Sequence, residues 1–281
     1  MSTSLVFIHA VTPLHAGIGS GTDVIDLPIA REVSTGLPIL PGSSIKGALR
    51  SAAQSLGANT VRHMFGPDTK DAADHAGAVQ CSDAYLLCLP VRSLAGMFGW
   101  AASPYTLRRI ARDAQACGIP TPPIPALTGN DVALPGSGSA LLVDAKTVVF
   151  EDLDLVPSTV SAQSWIDFLA GYLTHIDAGF LAQHFCIVSD DVLNFLSSTA
   201  TDVRARVRLT EDKTVQPGAL WYEESLPCET ILAGLVIIQP VASVTTAVAD
   251  MHDALHDVTA NLMQFGGKST TGHGYCRVMW S

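Results

Sequence analysis

Residues 12–50 read TPLHAGIGSGTDVIDLPIAREVSTGLPILPGSSIKGALR, and most of what the sequence indicates about fold and function begins here. The apolar run before it, residues 4–12, is rich in strand-forming side chains and predicts a β-strand. The glycines that follow predict a loop, which carries His15 and Asp26. A loop aspartate is most often an Asx-turn or a helix cap. The surrounding glycines, the flanking cations and the leading strand favour a functional role for Asp26, with Asp23 as the alternative.

The end of the same stretch predicts a basic helix. Pro41-Gly42 breaks the chain, and Ser43 or Ser44 is expected to be the N-cap of the helix that follows. Lys46 and Arg50 are four residues apart, so they share one face of this helix. Cations therefore follow the glycine loop directly, in a protein whose formal net charge is −10.

Composition and charge exclude several classes of protein. The 281 residues are 48% hydrophobic and 15% charged, which indicates a folded chain with a sizeable core. The sequence has no run of about 18 uncharged apolar residues that would predict a membrane span, and its N-terminus lacks a signal-peptide pattern. The six cysteines form no C-x-x-C pair, which favours free thiols in a reducing cytoplasm. The net charge argues only weakly against nucleic acid, because cations can still cluster on one face.

The remaining chain alternates predicted strands and helices without a regular βαβ spacing, which favours an α+β fold with antiparallel strands. Residues 118–139 are rich in Pro, Gly and Ser and predict an irregular insertion. Residues 203–226 predict a long hairpin whose turn contains Gln216-Pro217-Gly218. Further strands are predicted within 78–91, 141–150 and 229–239 and after residue 274. Further helices are predicted within 60–65, 103–117, 158–173, 189–198 and 243–263, with Ser103 as the N-cap of the second of these.

Two motifs, one rich in glycine and one with paired histidines, resemble a P-loop and a metal site but fail the tests for them. The segment GGKSTTGHG (266–274) is not a P-loop, because that motif needs glycine where the chain has Leu262. Its glycines predict instead a loop whose backbone amides can approach a phosphodiester, with Lys268 adding charge. His252 and His256 have a metal-ligand spacing, but the glutamate of H-E-x-x-H is absent and a polar helix face is favoured.

For catalysis, the sequence contains no G-x-S-x-G nucleophile elbow. Glu223-Glu224 is a candidate carboxylate pair. Adjacent strand residues point to opposite faces, so at most one of the two joins a given site. A solvated hairpin edge is an equally good interpretation of this pair.

The order of these motifs resembles the RAMP (repeat-associated mysterious protein) superfamily, and within it the backbone subunit of type III-B CRISPR effector complexes, the Cmr complexes. The resemblance extends over nearly the whole chain. It rests on PLHAG (13–17), IDLPIARE (25–32), TGLP (35–38), PGSSIKGALR (41–50), MFGP (64–67), DAYLLCLPVRSLAGMFGW (83–100), KTVQPGALWYEESLP (213–227) and GGKSTTGHG (266–274).

The resemblance implies a single RAMP domain over residues 1–281, with a ferredoxin-like, RRM-type core and insertions that form palm, fingers and a β-hairpin thumb. It implies that copies of the chain assemble along a guide crRNA with other Cmr subunits. The cysteine usage and the lack of an apolar span predict a cytoplasmic location without membrane contact. It also implies cleavage of complementary single-stranded RNA at regular intervals. A divalent metal, Mg²⁺ or Mn²⁺, is implied as cofactor, with ligands that stay unknown.

The resemblance further implies roles for individual residues. Asp26 matches the catalytic loop aspartate and His15 the histidine near it, and Glu223 and Glu224 at the thumb base are further catalytic candidates. His273 stands where the family often has arginine, which weakens one expected charge contact. The implied RNA-binding residues are Gly17, Gly19, Arg31, Ser43, Ser44, Lys46, Arg50, Trp221, Tyr222, Gly266, Gly267, Lys268, Ser269, Thr270, Thr271 and Gly272.

Cleavage of RNA by its own 2′-hydroxyl explains why these residue types belong together. The reaction needs in-line geometry, a group that removes the hydroxyl proton and charge that stabilises the phosphorane. Asp26 can act as the base or hold the metal, and His15 or a nearby cation can stabilise charge. The alternatives are a non-catalytic guide-RNA-binding scaffold, a precursor-processing nuclease that acts alone, and a metabolic α/β enzyme, for which the sequence contains no cofactor motif.

Overall fold

The computed structural model describes residues 1–21, 24–67, 75–241 and 246–281, so Asp23 lies outside the described residues. Over these ranges the chain forms fifteen strands and seven α-helices. The strands are β1 (Ser2–Ala10), β2 (Ile39–Leu40), β3 (Val79–Cys81), β4 (Ala84–Arg92), β5 (Phe98–Ala102), β6 (Val132–Pro135), β7 (Leu142–Val143), β8 (Thr147–Phe150), β9 (Leu153–Pro157), β10 (Phe185–Ile187), β11 (Asp202–Leu209), β12 (Val215–Ser225), β13 (Ile231–Ile238), β14 (Met263–Gln264) and β15 (Tyr275–Trp280). The helices are α1 (Gly42–Ala52), α2 (Ala58–Phe65), α3 (Pro104–Ala116), α4 (Gln163–Ala170), α5 (Ala178–His184), α6 (Asp190–Thr199) and α7 (Val248–Thr259).

Four strands form an antiparallel core in the spatial order β15-β1-β13-β4. The longest pairing joins β1 to β13, from Ser2↔Ile238 to His9↔Ile231. Along the chain, α1 and α2 lie between β1 and β4, and α7 lies between β13 and β15. This is the strand order of a ferredoxin-like fold, so the predicted α+β class with a ferredoxin-like RAMP core is confirmed.

The first strand is buried on both faces because helices cover both sides of the sheet. Val6 packs in one core with Leu49 of α1 and residues of α7. Phe7 packs on the opposite face in a second core, which includes Trp165 of α4. Burial on both faces accounts for the continuous apolar run in this part of the sequence.

The segment between β4 and β13 extends the sheet on one side, in the order β5-β10-β6-β9-β8-β7. Its helices α3, α4 and α5 cover the second core, in which Trp100 and Trp165 are fully buried, whereas α6 packs on the first core. The last part of this segment is the hairpin β11-β12, a separate two-stranded sheet. A hairpin thus lies where it was expected, at 203–226, and its role as a thumb stays a prediction.

The capping of two helices differs. Ser103 accepts a hydrogen bond from the Thr106 N–H and forms the predicted N-cap of α3 as part of a capping box. The prediction that Ser43 or Ser44 caps α1 is wrong, because Pro41 occupies the N-cap position and no side chain caps the helix from there. The Gly42 N–H is instead bound by the Asp83 carboxylate from the turn before β4, at 2.7 Å.

We expect Ser103→Ala to lower the free energy of unfolding by about 1 kcal/mol, because it removes the hydroxyl that accepts the Thr106 N–H. Ser43→Ala is the matched control in a first turn without a side-chain cap, and it should change the value by less than about 0.5 kcal/mol. Denaturant unfolding of both variants measures the difference. Equal losses in the two variants would show that the capping bond adds nothing.

Turns interrupt two of the predicted strands. The predicted strand 78–91 is divided into β3 and β4 at Ser82-Asp83, and β4 continues past Pro90. The predicted strand 141–150 is a short hairpin, because Asp144 and Ala145 adopt positive φ and reverse the chain between β7 and β8.

Three further segments differ in detail from prediction. Residues 118–139 are irregular except for β6, which pairs with β9 and β10 inside the sheet. The Gln216-Pro217-Gly218 segment lies within β12, and the hairpin turn is formed by Thr210–Thr214. The predicted helix at 243–263 is confirmed only for Val248–Thr259, and residues 242–245 lie outside the described ranges.

Candidate functional site

The hairpin β11-β12 has two chemically different faces. In its register Arg204 lies opposite Glu223 and Arg206 opposite Trp221, so one face is basic and aromatic. The other face carries Val207 opposite Leu220, and both side chains are exposed. Because arginines alternate along β11, their side chains lie on one side of the hairpin.

The loop that carries Asp26 docks on the free edge of β12. The Leu27 N–H donates to the Tyr222 carbonyl at 3.0 Å, and the Glu224 N–H donates to the Leu27 carbonyl at 3.0 Å. The Asp26 carboxylate accepts the Tyr222 N–H through Oδ2 at 2.7 Å. Asp26 is exposed, and its Oδ1 accepts no hydrogen bond from the described part of the chain. One carboxylate oxygen thus fixes the side chain while the other faces solvent.

Two buried side chains hold this loop from behind. Glu224 is 3% exposed and accepts the Ile29 N–H at 3.1 Å and the Arg31 guanidinium at 2.6 Å. His15 donates its Nδ1–H to the Glu224 carbonyl at 2.6 Å, which leaves Nε2 beneath Gly17. Because Glu223 and Glu224 are both buried, the interpretation of this pair as a solvated hairpin edge is wrong.

The C-terminal glycine loop closes over His15 from the other side. The Gly267 N–H donates to the His15 carbonyl at 2.9 Å. Gly266 lies so close that an added Cβ would be 2.3 Å from the same oxygen. Lys268 then reaches the Glu223 carboxylate at 2.6 Å. The two glycine loops and the hairpin base therefore form one packed unit.

The Glu223 carboxylate is enclosed by donors. It accepts hydrogen bonds from Lys268 Nζ at 2.6 Å, Trp221 Nε1 at 2.9 Å and Arg206 Nε at 3.1 Å. Burial alone would raise the pKa of Glu223, but the bonds from these three groups outweigh it and hold the pKa at about 2. Glu223 therefore stays ionised at neutral pH and is a weak base.

Acid should remove the stabilisation that ionised Glu223 provides. Its pKa is lowered from an ordinary value of 4.5 to about 2 in the folded chain, so its contribution is complete above pH 4.5 and is lost as the pH falls towards 2. We therefore expect Glu223→Gln to lower the melting temperature at pH 7 and to narrow the difference from wild type steadily below pH 4.5. A difference that stays constant from pH 7 to pH 3 would contradict this assignment.

A groove of about 540 Å³ runs between α1 and the two glycine loops. Apart from Leu262 and Met263, its lining residues are small or polar, among them Gly17, Ser44, Gly47, Gln264 and Gly267. Small side chains leave room for a ligand with its own bulk and charge. The groove therefore suits a polymer backbone better than a compact apolar molecule.

The structure brings most of the predicted site residues together, but not all. Lys46 and Arg50 do not line the groove: Lys46 lies near Cys81, and Arg50 donates to the Gly66 carbonyl beside a second cavity at the far end of α1. Gly19, Ser43 and residues Ser269–Gly272 are exposed around the loops. His273 is buried, with its ring beside Thr271. The role of each of these residues stays a prediction.

Sequence reasoning did not single out Arg206, Gly47, Ser51 and Gln264 as site residues. The charge of Arg206 was visible, but its contact with Glu223 depends on the hairpin register. Gly47 and Ser51 are four residues apart on the groove side of α1, and this spacing of small residues was an available signal.

The described residues contain no cluster of three or more His, Cys, Asp and Glu side chains that could hold a metal ion. His252 and His256 stack on each other with ring centroids 4.4 Å apart and lie near Trp280, so they form part of the packing of α7. Mg²⁺ is commonly held by one or two carboxylates together with substrate phosphates, and the exposed Oδ1 of Asp26 is a carboxylate oxygen of that kind. None of the helices in the described ranges is both long and apolar enough to cross a membrane.

The model of the RAMP superfamily matches residues 7–277. The chain belongs to the RAMP superfamily. Among curated RAMP proteins, this chain is 32% identical to the CRISPR system Cmr endoribonuclease Cmr4 of Pyrococcus furiosus, over 99% of this chain and 95% of that one. It is 25% identical to the CRISPR system CMR subunit Cmr4 of Saccharolobus solfataricus, over 98% and 95% of the two chains.

Solved structures agree with this membership. The crystal structure of oligomeric Cmr4 from Pyrococcus furiosus aligns with a TM-score of 0.78 and 27% identity, covering 100% of this RAMP chain and 98% of that chain. A chain of the type III-B Cmr-beta complex bound to cognate target RNA aligns with a TM-score of 0.78 and 20% identity, covering 100% and 97%, which supports the fold.

Proposed function

We propose that this chain is the backbone subunit of a type III-B CRISPR effector complex, which binds a guide crRNA and cleaves complementary single-stranded RNA at regular intervals. The observation that carries the proposal is the exposed Asp26 carboxylate, fixed by the Tyr222 N–H at 2.7 Å on a loop that also lines the groove. Full-length similarity to a Cmr endoribonuclease supports it. Further copies of the chain and other Cmr subunits are the proposed partners.

One of the site residues is exposed to a bound RNA, and the others hold the loop that carries it. Asp26 is exposed and is the proposed catalytic residue. His15 and Glu224 are buried behind the loop and position it. We therefore assign His15 to support of the two glycine loops instead of the charge stabilisation expected from the resemblance.

The proposed reaction is attack of the RNA 2′-hydroxyl on its own phosphate. Asp26 takes the hydroxyl proton, the 2′-oxygen forms a bond to phosphorus, and the bond to the 5′-oxygen breaks. The products are a 2′,3′-cyclic phosphate and a 5′-hydroxyl, whose proton comes from solvent. Lys268 lies at the hairpin base, with its ammonium 2.6 Å from the Glu223 carboxylate, and would neutralise phosphate charge there.

A divalent metal, Mg²⁺ or Mn²⁺, is the proposed cofactor. Asp26 Oδ1 is the atom that would hold the ion, as the alternative to acting directly as the base, and the RNA phosphate would supply a further ligand. When bound, such an ion would supply positive charge to the phosphate that reacts.

The test reconstitutes the chain with a guide RNA and its partner subunits and adds end-labelled complementary RNA, with and without Mg²⁺ or Mn²⁺. A ladder of products at a regular spacing supports the proposal, and a target with a 2′-deoxy substitution at one cleavage position should lose that band alone. Tight target binding without any products would leave a guide-binding scaffold. Cleavage of a precursor hairpin by the chain without partners would favour a processing nuclease instead.

A further inference from the structure

The environment of Glu223 is unusual for a residue in a site that handles RNA. The residue is 6% exposed, and its carboxylate lies between two cations, Lys268 and Arg206, with the Trp221 indole as a third donor. Each carboxylate oxygen already accepts at least one hydrogen bond. These donors come from the glycine loop and from both strands of the hairpin, so the carboxylate ties together the elements that form the site.

The charges in this cluster do not cancel. Lys268 and Arg206 keep 32% and 33% of their side-chain surface exposed, whereas Glu223 keeps 7%. The ammonium and guanidinium groups have further N–H donors that Glu223 does not use. Two oriented cations are therefore exposed to solvent or RNA. The buried Glu223 carboxylate between them lowers their combined attraction for phosphate.

We propose that Glu223 is an internal counter-ion, a positioning residue that orients Lys268 and Arg206 for cleavage and lowers the affinity of the site for RNA. The inference rests on the proposed function, because it concerns how the same site handles its RNA. A neutral side chain at this position no longer reduces the attraction of the two cations for phosphate, and it no longer fixes their positions. Binding and cleavage should then change in opposite directions, which loss of folding alone would not produce.

The size of both effects follows from general values. One additional phosphate contact steepens the dependence of log affinity on log salt by about 0.7 for single-stranded RNA and strengthens binding about fivefold at 0.1 M salt. Misplacement of a charge by about 1 Å can slow cleavage by about 10²-fold. We therefore expect Glu223→Gln to bind target RNA a few-fold more tightly, with a steeper salt slope, and to cleave it 10- to 100-fold more slowly, on the order of the loss that misplacement causes.

The experiment uses reconstituted complexes that contain wild-type chain, Glu223→Gln or Glu151→Gln. Glu151 is the matched control, since it lies in the turn between β8 and β9, pairs with Arg92 at the end of β4, and its substitution changes the net charge equally. Target affinity is measured at several salt concentrations, and cleavage under single-turnover conditions with saturating RNA. Tighter binding with slower cleavage in Glu223→Gln alone supports the inference. Weaker binding, unchanged binding, or the same change in Glu151→Gln overturns it.

A double variant, Glu223→Gln with Lys268→Gln, restores the original net charge of the cluster. Affinity should return to within about twofold of wild type, because the number of phosphate contacts is restored, while cleavage stays slow. If Glu223→Gln does not fold, Lys268→Gln alone decides: unchanged affinity and salt slope would overturn the inference. If wild-type complexes bind RNA but release no products, the proposed function fails, and the binding measurements alone then decide whether Glu223 is a counter-ion.

Discussion

Replacing Asp26 with asparagine should slow target cleavage by about 10²–10⁴-fold, the usual contribution of a general base, while target affinity stays within about twofold of wild type. Asparagine keeps a carbonyl oxygen that can accept the Tyr222 N–H, now made by Asp26 Oδ2 at 2.7 Å. The loop should therefore remain docked on β12 while the basic oxygen is lost. Single-turnover cleavage and filter binding of the same reconstituted complexes provide the two measurements.

Two further variants separate chemistry from loop anchoring. Asp26→Ala also removes the hydrogen bond to Tyr222. Its complex should therefore cleave as slowly as the Asp26→Asn complex and bind target RNA slightly more weakly. Asp202→Asn changes a carboxylate at the start of the hairpin, where Asp202 pairs with Arg204, and should leave the cleavage rate unchanged. An Asp26→Asn complex that cleaves at the wild-type rate would remove Asp26 from the chemistry.

The second large effect is expected at Gly266. Gly266 has φ of +71°, and an added Cβ would lie 2.3 Å from the His15 carbonyl oxygen, a backbone atom that cannot move alone. Gly266→Ala should lower the free energy of unfolding by about 2–6 kcal/mol, adding about 1–3 for the left-handed backbone to about 1–3 for overpacking. It should also separate the glycine loop from His15 and weaken RNA binding.

Two neighbouring glycines provide controls for the separate causes. Gly272 has φ of +81° but open space around its Cα, so Gly272→Ala should cost only about 1–3 kcal/mol for the backbone. Gly267 does not have a left-handed φ, and a Cβ there would make ordinary contact with the His15 ring at 3.5 Å, so Gly267→Ala should be nearly neutral. Denaturant unfolding ranks the three variants. Equal losses of unfolding free energy in Gly266→Ala and Gly272→Ala would show that the close contact with His15 does not destabilise the fold.

Elements with strong local signals were predictable from the sequence. The apolar runs of β1 and β13 predicted buried strands, and Ser103 predicted the start of α3. By contrast, α5 has seven residues and β10 has three, too few for a hydrophobic period to be recognised. Their formation depends on the sheet and helices they pack against, which the local sequence does not show.

The candidate site divides in the same way. The glycine loops, Asp26 and the carboxylate pair were visible as motifs, because glycine and charged residues stand out in an otherwise apolar chain. The split of duties between the two carboxylates was not visible: Glu224 holds the Asp26 loop through Ile29, whereas Glu223 holds Lys268 and Arg206. Strand alternation predicted opposite faces, but only the docked loops decide what each face contacts.

By itself, then, the sequence determined that this is an α+β chain with a glycine loop carrying an acidic residue, and its motif order indicated the RAMP superfamily. Only the tertiary structure decided which charges meet. The bond from His15 to Glu224 spans 209 positions of the chain, and the ion pair of Glu223 with Lys268 spans 45. The apolar residues of α1 must face the core, and this fixes the direction of every other side chain on the helix. Lys46 and Arg50 therefore point away from the groove.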